Sequence, residues 1–421
     1  MQFKKRIRPS VVIPGALVIA VLVLSFALPH SSQFGTYQLL TYGYGYGPGG
    51  SCLTPPVQYH PLTPTRILDT RTSGTALGAN ATMDVPVTGL GGVPVGATAA
   101  VINVTATNTT AGSYLTVYPK GVARPLASNL NWTAGQTVPN LVEIALGAGG
   151  MLTVYNAFGN ADIVFDVNGY VSAPTSGCPV DGLYRSVVPS RILDTRTTSQ
   201  VAANTTIDVQ VTGAVGVPAS GVEAVTLNLT VTNASAGSYI TAYPTGTARP
   251  LASNINFVAG QTVPNRVIVK LGTGGKITLY NAFGNVDLIA DVNGWFTDNT
   301  GTTIVDGSGD IFVGTAPNRI VDTRGGGAIQ ANSTMTLTVT GVPAGAHTAV
   351  INVTVTNPTS GSYLTLWPHG ASRPLASDLN FVSGLTVANL VIVQLGAGST
   401  VDIYNAFGST DVVVDLVGWY Q

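Results

Sequence analysis

One phrase is spelled out three times along the chain: Arg66-Ile-Leu-Asp-Thr-Arg71 returns as Arg191 to Arg196 and, with Val321 in place of Leu, as Arg319 to Arg324. The copies stand 125 and 128 residues apart, and each runs on through the same signposts. Arg124-Pro-Leu-Ala-Ser128 becomes Arg249 to Ser253 and Arg373 to Ser377, while Tyr155-Asn-Ala-Phe-Gly159 becomes Tyr280 to Gly284 and Tyr404 to Gly408. A period this long is well above the roughly 20 to 50 residues of solenoid units, so each copy is expected to be a whole domain. A chain of 421 residues has room for three.

Only 9% of the residues are charged, against a usual share of about 25%. Glu stands only at Glu143 and Glu223, and Lys only at Lys4, Lys5, Lys120, Lys270 and Lys276. The strong polar helix formers are nearly missing while β-branched residues abound, which predicts an all-β protein. Inside a repeat the period is two: Ile351, Val353 and Val355 alternate with Asn352, Thr354 and Thr356, and the other copies follow suit. One face of this strand is expected to be core and the other wet. About seven to nine such strands in some 110 residues predict three tandem antiparallel β-sandwich domains, jelly-roll-like, over residues 60–173, 183–297 and 311–421. A six-bladed propeller, two blades per repeat, is the weaker alternative, because no half-period repetition is visible within a copy.

The N-terminus has a different character. Lys4-Lys-Arg-Ile-Arg8 precedes an uncharged apolar stretch from Val11 to Leu28, the layout of a signal peptide or transmembrane signal anchor over residues 1–29. Either way the remainder is expected to be exported and secreted or displayed at the cell surface, held to the membrane if the segment is not cleaved. Residues 30–59, with Tyr42-Gly-Tyr-Gly-Tyr-Gly-Pro-Gly-Gly50, read as a flexible stalk. Cys52 and Cys178 flank the first repeat. A disulfide between them would restrict the unfolded chain by about 4 to 5 kcal/mol on the entropy model; two unpaired thiols are the other reading, and the third repeat has no cysteine near it.

Several function classes find no support in the residues. A net charge of −1, with basic residues scattered singly, argues against nucleic acid as a partner. His30, His60, His347 and His369 neither recur nor show the spacing of a metal site or a triad. Asp162 and Asp166 share a strand face but lie about 13 Å apart at about 3.3 Å per residue, too far for a glycosidase pair. Asp306-Gly-Ser-Gly-Asp310 lacks the closing Glu of a calcium loop. No catalytic residue, metal or cofactor is expected, and the chain is read as non-enzymatic.

The recurring charges are Arg66, Asp69, Arg71, Arg124, Asp162 and Asp166, then Arg191, Asp194, Arg196, Arg249, Asp287 and Asp291, then Arg319, Asp322, Arg324, Arg373, Asp411 and Asp415. They are read as structural ion pairs, a clasp tying the first strand of each domain to the last, since breaking one member of a buried pair is costly. A ligand site built on arginine forks is the competing reading. For ligand contacts the better places are Phe158, Phe283 and Phe407, in a glycine-bounded turn expected at the surface, and Asn103, Asn228 and Asn352 on the wet face of a strand.

The pattern resembles a repeat module of secreted and surface proteins of actinobacteria and similar bacteria. The residues that carry the likeness are Arg66-Ile-Leu-Asp-Thr-Arg71, Gly112-Ser-Tyr-Leu-Thr116, Arg124-Pro-Leu-Ala-Ser-Asn129, Gln136-Thr-Val-Pro-Asn140 and Asp166-Val-Asn-Gly169, and it covers roughly residues 60–421. The resemblance implies an extracellular companion module, at times beside cell-wall hydrolase or peptidase domains, and says little of activity. The third copy departs from the pattern at Asp378, where the others have Asn129 and Asn254, and at Leu385 in place of Gln. The resulting expectation is an adhesion protein or a binder of envelope or extracellular polysaccharide, with other surface proteins as alternative partners. A self-associating envelope or fibre component is the alternative.

Overall fold

A computed structural model of the chain describes residues 57–174, 181–298 and 309–421. The expected N-terminal segment, Cys52, Cys178 and residues 306–308 of the Asp306 loop lie outside them. The stalk expected over 30–59 ends sooner than supposed, because Gln58 and Tyr59 already belong to the first strand.

Among the described residues each repeat contributes eight strands. In the first they are β1 (Gln58–Asp69), β2 (Ala81–Pro86), β3 (Ala99–Thr107), β4 (Ser113–Pro119), β5 (Leu130–Trp132), β6 (Val138–Ala145), β7 (Met151–Asn156) and β8 (Asp162–Ser172). They divide into two four-stranded antiparallel sheets, β1-β8-β3-β6 and β2-β7-β4-β5, and the other two repeats reproduce both orders. Among the described residues helix is confined to single turns such as Thr70–Ser73, and none is long and apolar enough to cross a membrane.

Period-two alternation decides where each sheet faces. In the first repeat Ile102, Val104, Val142, Ile144 and Phe165 of one sheet meet Val85, Leu115, Val117, Leu152 and Val154 of the other in a single apolar cluster. The residues between them, Val101 and Leu141, point the opposite way. They join Tyr184, Ile268, Phe296, Val350, Ile392 and Tyr420 in a second cluster to which all three repeats contribute. The β1-β8-β3-β6 sheet is therefore buried on both faces, with every residue of β3 out of solvent, whereas β2 alternates with open water.

The expectation of three tandem β-sandwich domains is corrected by this arrangement. Six small four-stranded antiparallel sheets, two from each repeat, are grouped about one centre with a shared core, instead of three self-contained bodies in a row. The count is that of the six-bladed alternative. No half-period marked it in the sequence because the strands of the two sheets interleave along the chain, so neither sheet is a contiguous half of a repeat.

The wet face is corrected too. Asn103, Asn228 and Asn352 are each about 1% exposed and sit where one repeat meets the next. Asn103 donates to the Ser253 carbonyl at 2.6 Å, Asn228 to the Ser377 carbonyl at 2.5 Å, and Asn352 to the Ser128 carbonyl at 2.6 Å, so the three contacts run from each repeat to the next and back to the first. A second ring of asparagines completes the closure: Asn265 donates to Asn103 Oδ1, Asn389 to Asn228 Oδ1 and Asn140 to Asn352 Oδ1, at 2.9 to 3.1 Å. Their own oxygens accept the backbone N–H groups of Leu141, Arg266 and Leu390 across the same seams. Alternation of apolar and polar residues reads the same whether the polar face meets water or a neighbour, which is why the periodicity misplaced it. These amides are satisfied by one another, as burial requires.

Candidate functional site

The first recurring phrase is built into the strand edge. At the end of β1, Arg66 grips Asp166 of β8 with Nε at 2.8 Å and Nη2 at 3.0 Å and reaches Asp69 with Nη1 at 3.2 Å. Asp69 caps the short turn that follows, accepting the Arg71 backbone N–H, and it is forked by the Arg71 guanidinium at 2.8 and 2.6 Å. Thr70 donates its hydroxyl to Asp162 and accepts the Ile163 N–H, which ties the same turn to β8. The other repeats repeat the set as Arg191, Asp291, Asp194 and Arg196, and as Arg319, Asp415, Asp322 and Arg324. The forks hold the Asp194 and Asp322 carboxyls down to about 2, chiefly through the Arg196 and Arg324 hydrogen bonds. Burial pushes Asp166, Asp291 and Asp415 the other way, against their arginines.

The second phrase behaves differently and corrects the ion-pair reading for Arg124, Arg249 and Arg373. No carboxylate among the described residues pairs with them. Each guanidinium instead lies 3.7 Å over the ring of Tyr155, Tyr280 or Tyr404. The platform is fixed from beneath: Tyr155 donates its hydroxyl to Asn80 at 3.0 Å, and Asn80 holds a left-handed backbone at φ 54°, with Asn204 and Asn332 matching it. An exposed arginine over a ring gains about 0.5 to 1 kcal/mol, enough to orient the fork while its N–H donors stay available.

The two phrases meet across the seams. Arg66 and Arg71 of the first repeat line a cavity of about 470 Å³ together with Arg249, Pro250 and Leu251 of the second. Arg191 and Arg196 face Arg373 and Leu375 around about 280 Å³, and Arg319 and Arg324 face Arg124 and Leu126 around about 300 Å³. Arg191 also donates to the Leu375 carbonyl at 3.0 Å, and the Asp166 carboxylate accepts the Ser253 backbone N–H, so the clasp serves the seam as well as its own repeat. Threonines and a tyrosine complete each pocket, and the Thr105 and Thr354 hydroxyls within them have no hydrogen-bond partner. A further depression of about 390 Å³ takes its lining from all three repeats, among them Asn131, Asn256 and Asn380, and shares Thr137, Thr262 and Thr386 with the seam pockets.

Phe158, Phe283 and Phe407 stand 60% exposed, edge-on to Tyr114, Tyr239 and Tyr363. Their turn is held by the preceding asparagine: Asn156 donates to the Leu77, Gly78 and Gly159 carbonyls and accepts from Ser113. Gly159 is required there, since its φ is +57° and a Cβ would lie 2.7 Å from that of Ala111. Of the three, Phe407 lines the depression shared by the repeats. The asparagines named with them as ligand contacts are occupied by the ring closure and are not available to a ligand.

Comparisons with known proteins add little. No family model matches the chain, and no curated protein does. Among solved structures, a chain of the Sulfolobus turreted icosahedral virus aligns at 13% identity over 87% of this chain and 91% of its own, with a TM-score of 0.18. A chain from an archaeal virus described by a triple jelly roll fold and turret assembly aligns at 13% over 87% and 90%, with a TM-score of 0.19. Scores this low leave fold and function to be argued from the chain itself.

The seams are not identical, and the Asp378 departure noted above marks where. Arg266 is fully buried, 2.8 Å from Asp378 of the third repeat, and also donates to Asn293 and to the Leu390 carbonyl. At the corresponding places the other repeats have Leu141 and Leu390, and Asn129 and Asn254. Asp378 is thus half of a buried ion pair whose other half is 112 residues away, and two simultaneous departures from the repeat were the signal for it. Glu143 is a second singular group, standing where the other repeats have Ile268 and Ile392. It accepts the Tyr420 hydroxyl at 2.6 Å, and burial pushes its carboxyl up to about 8.

Proposed function

We propose that this is a non-enzymatic exported surface protein that binds envelope or extracellular polysaccharide at the seams between its repeats. The observation that carries the reading is the threefold recurrence of one pocket, in which arginines, threonine hydroxyls and a tyrosine from two neighbouring repeats face a common cavity. Hydroxyl-rich ligands are recognised by such sets of forks, hydroxyls and aromatic faces. Pull-down of the chain on insoluble polysaccharides and cell-wall preparations tests it: retention by at least one glycan is expected, and failure of every glycan to retain the chain contradicts it. Self-association into an envelope layer or fibre is the second reading. It draws on Leu126, Leu251 and Leu375, which stand 78%, 80% and 86% exposed at the pocket rims, and it predicts particle size rising with concentration.

A further inference from the structure

The three arginines in each seam pocket are not equivalent, and the difference points to the chemistry of the ligand. In the pocket between the first and second repeats, Arg66 and Arg71 are matched by Asp166 and Asp69 at hydrogen-bond distance. Arg249 has no carboxylate among the described residues, and none lines the cavity. Each seam pocket therefore holds one guanidinium with no carboxylate at hydrogen-bond distance, held flat by a tyrosine ring with its fork free. The same holds for Arg373 with Arg191 and Arg196, and for Arg124 with Arg319 and Arg324.

We propose that the seam pockets take an acidic polysaccharide, with Arg124, Arg249 and Arg373 each gripping one carboxylate of a uronic-acid-type unit while the threonine hydroxyls meet its ring hydroxyls. This rests on the polysaccharide reading and names the ligand class for it. A bidentate guanidinium–carboxylate contact matches the planar group of a uronic acid and has no counterpart in an uncharged glucan. Thr137, Thr262 and Thr386, one in the wall of each pocket and each at least partly open to solvent, suit a hydroxylated ligand. The depression shared by the three repeats adjoins every seam pocket through Thr137, Thr262 and Thr386, so a chain longer than one unit has a continuous path away from the arginine. Three sites on one rigid ring also raise the avidity for a polymer in which the charge recurs.

The test uses the full chain and the triple variant Arg124→Gln, Arg249→Gln, Arg373→Gln against three soluble probes: a linear polyuronate, an uncharged glucan of similar length and polyglutamate. The polyuronate is expected to bind, to weaken with added salt and to lose about tenfold or more in the variant. The variant's circular dichroism should match the parent's and its melting temperature should fall by only a few degrees, because the substituted groups are exposed and each gives up one cation–π contact. Equal retention of the uncharged glucan by parent and variant overturns the anionic assignment while sparing the polysaccharide reading. Polyglutamate bound as tightly as polyuronate transfers the site to acidic peptides and overturns the ligand class. No binding of any glycan contradicts the broader reading as well. Arg249→Lys separates charge from fork: it keeps the salt dependence and recovers only part of the affinity if the fork matters, and a full recovery contradicts the bidentate contact.

Discussion

Arg66 and Arg124 recur with equal fidelity in a chain that is otherwise poor in charge, yet their surroundings are opposite. Arg66 is mostly buried and forked onto Asp166, with Asp69 on its remaining edge; Arg124 lies exposed on the ring of Tyr155 and meets no carboxylate among the described residues. Recurrence alone does not separate a group that holds the fold from one that faces a ligand. The partner does: a guanidinium whose donors are matched by buried acceptors stabilises the native state, and one held flat by a ring with its donors free has them to offer.

Substitutions should pull the two apart. Asp166→Ala leaves Arg66 and the Ser253 N–H without their acceptor and is expected to cost about 3 to 5 kcal/mol, read from chemical denaturation. The seam between the second and third repeats sharpens the point. Arg266→Leu or Asp378→Asn alone strands one buried charge and should cost about 3 to 5 kcal/mol, while the double variant installs the Leu and Asn of the other seams and should be neutral or more stable by about 1 to 4 kcal/mol. A double variant as unstable as either single one would mean that the ion pair itself is needed to close the ring.

Glu143 gives a pH-dependent counterpart. Below its ordinary value near 4.5 the carboxyl is protonated in folded and unfolded chains alike and sets no slope. Between about 4.5 and 8 the unfolded chain ionises while the folded one keeps its proton, so stability should fall by about 1.4 kcal/mol per pH unit over that window on its account. Glu143→Gln is expected to flatten that slope and to stabilise the protein by up to about 3 kcal/mol at pH 7, with little effect at pH 4, as read from melting curves. Equal slopes in both proteins would show that the group ionises where it stands. Glu223, also pushed up to about 8 chiefly by burial, contributes a second slope that this variant leaves in place. The smallest effect is expected at the exposed arginine: Arg124→Gln should change stability by no more than about 0.5 to 1 kcal/mol, the worth of an exposed cation–π contact.

Much of the fold was legible because it rests on local periodicity. The alternating run of Ile351 to Thr356 falls within the strand Thr348–Thr356, and the turn holding Phe158 follows from its glycine. What was not legible is how the repeats meet. Asn103 alternates with Val104 as a solvent-facing residue would, and only the company it keeps betrays burial: its strand face carries Thr and Asn and no Lys or Glu in any repeat. Likewise the Arg124 phrase gives no local sign that its neighbour in space is Tyr155 rather than an aspartate, and the seam pockets join residues more than a hundred positions apart. The Asp378 departure is a place where the sequence did signal a contact between repeats.

The central proposal is that closing three repeats into one ring creates three anion-binding seams, alike in their arginines though not in their buried contacts. Calorimetric titration of the full chain with a short oligouronate, too short to bridge two seams, tests it most directly. Three sites per chain are predicted, falling to two in Arg249→Gln; a single site, or a stoichiometry unchanged by that substitution, would contradict the claim.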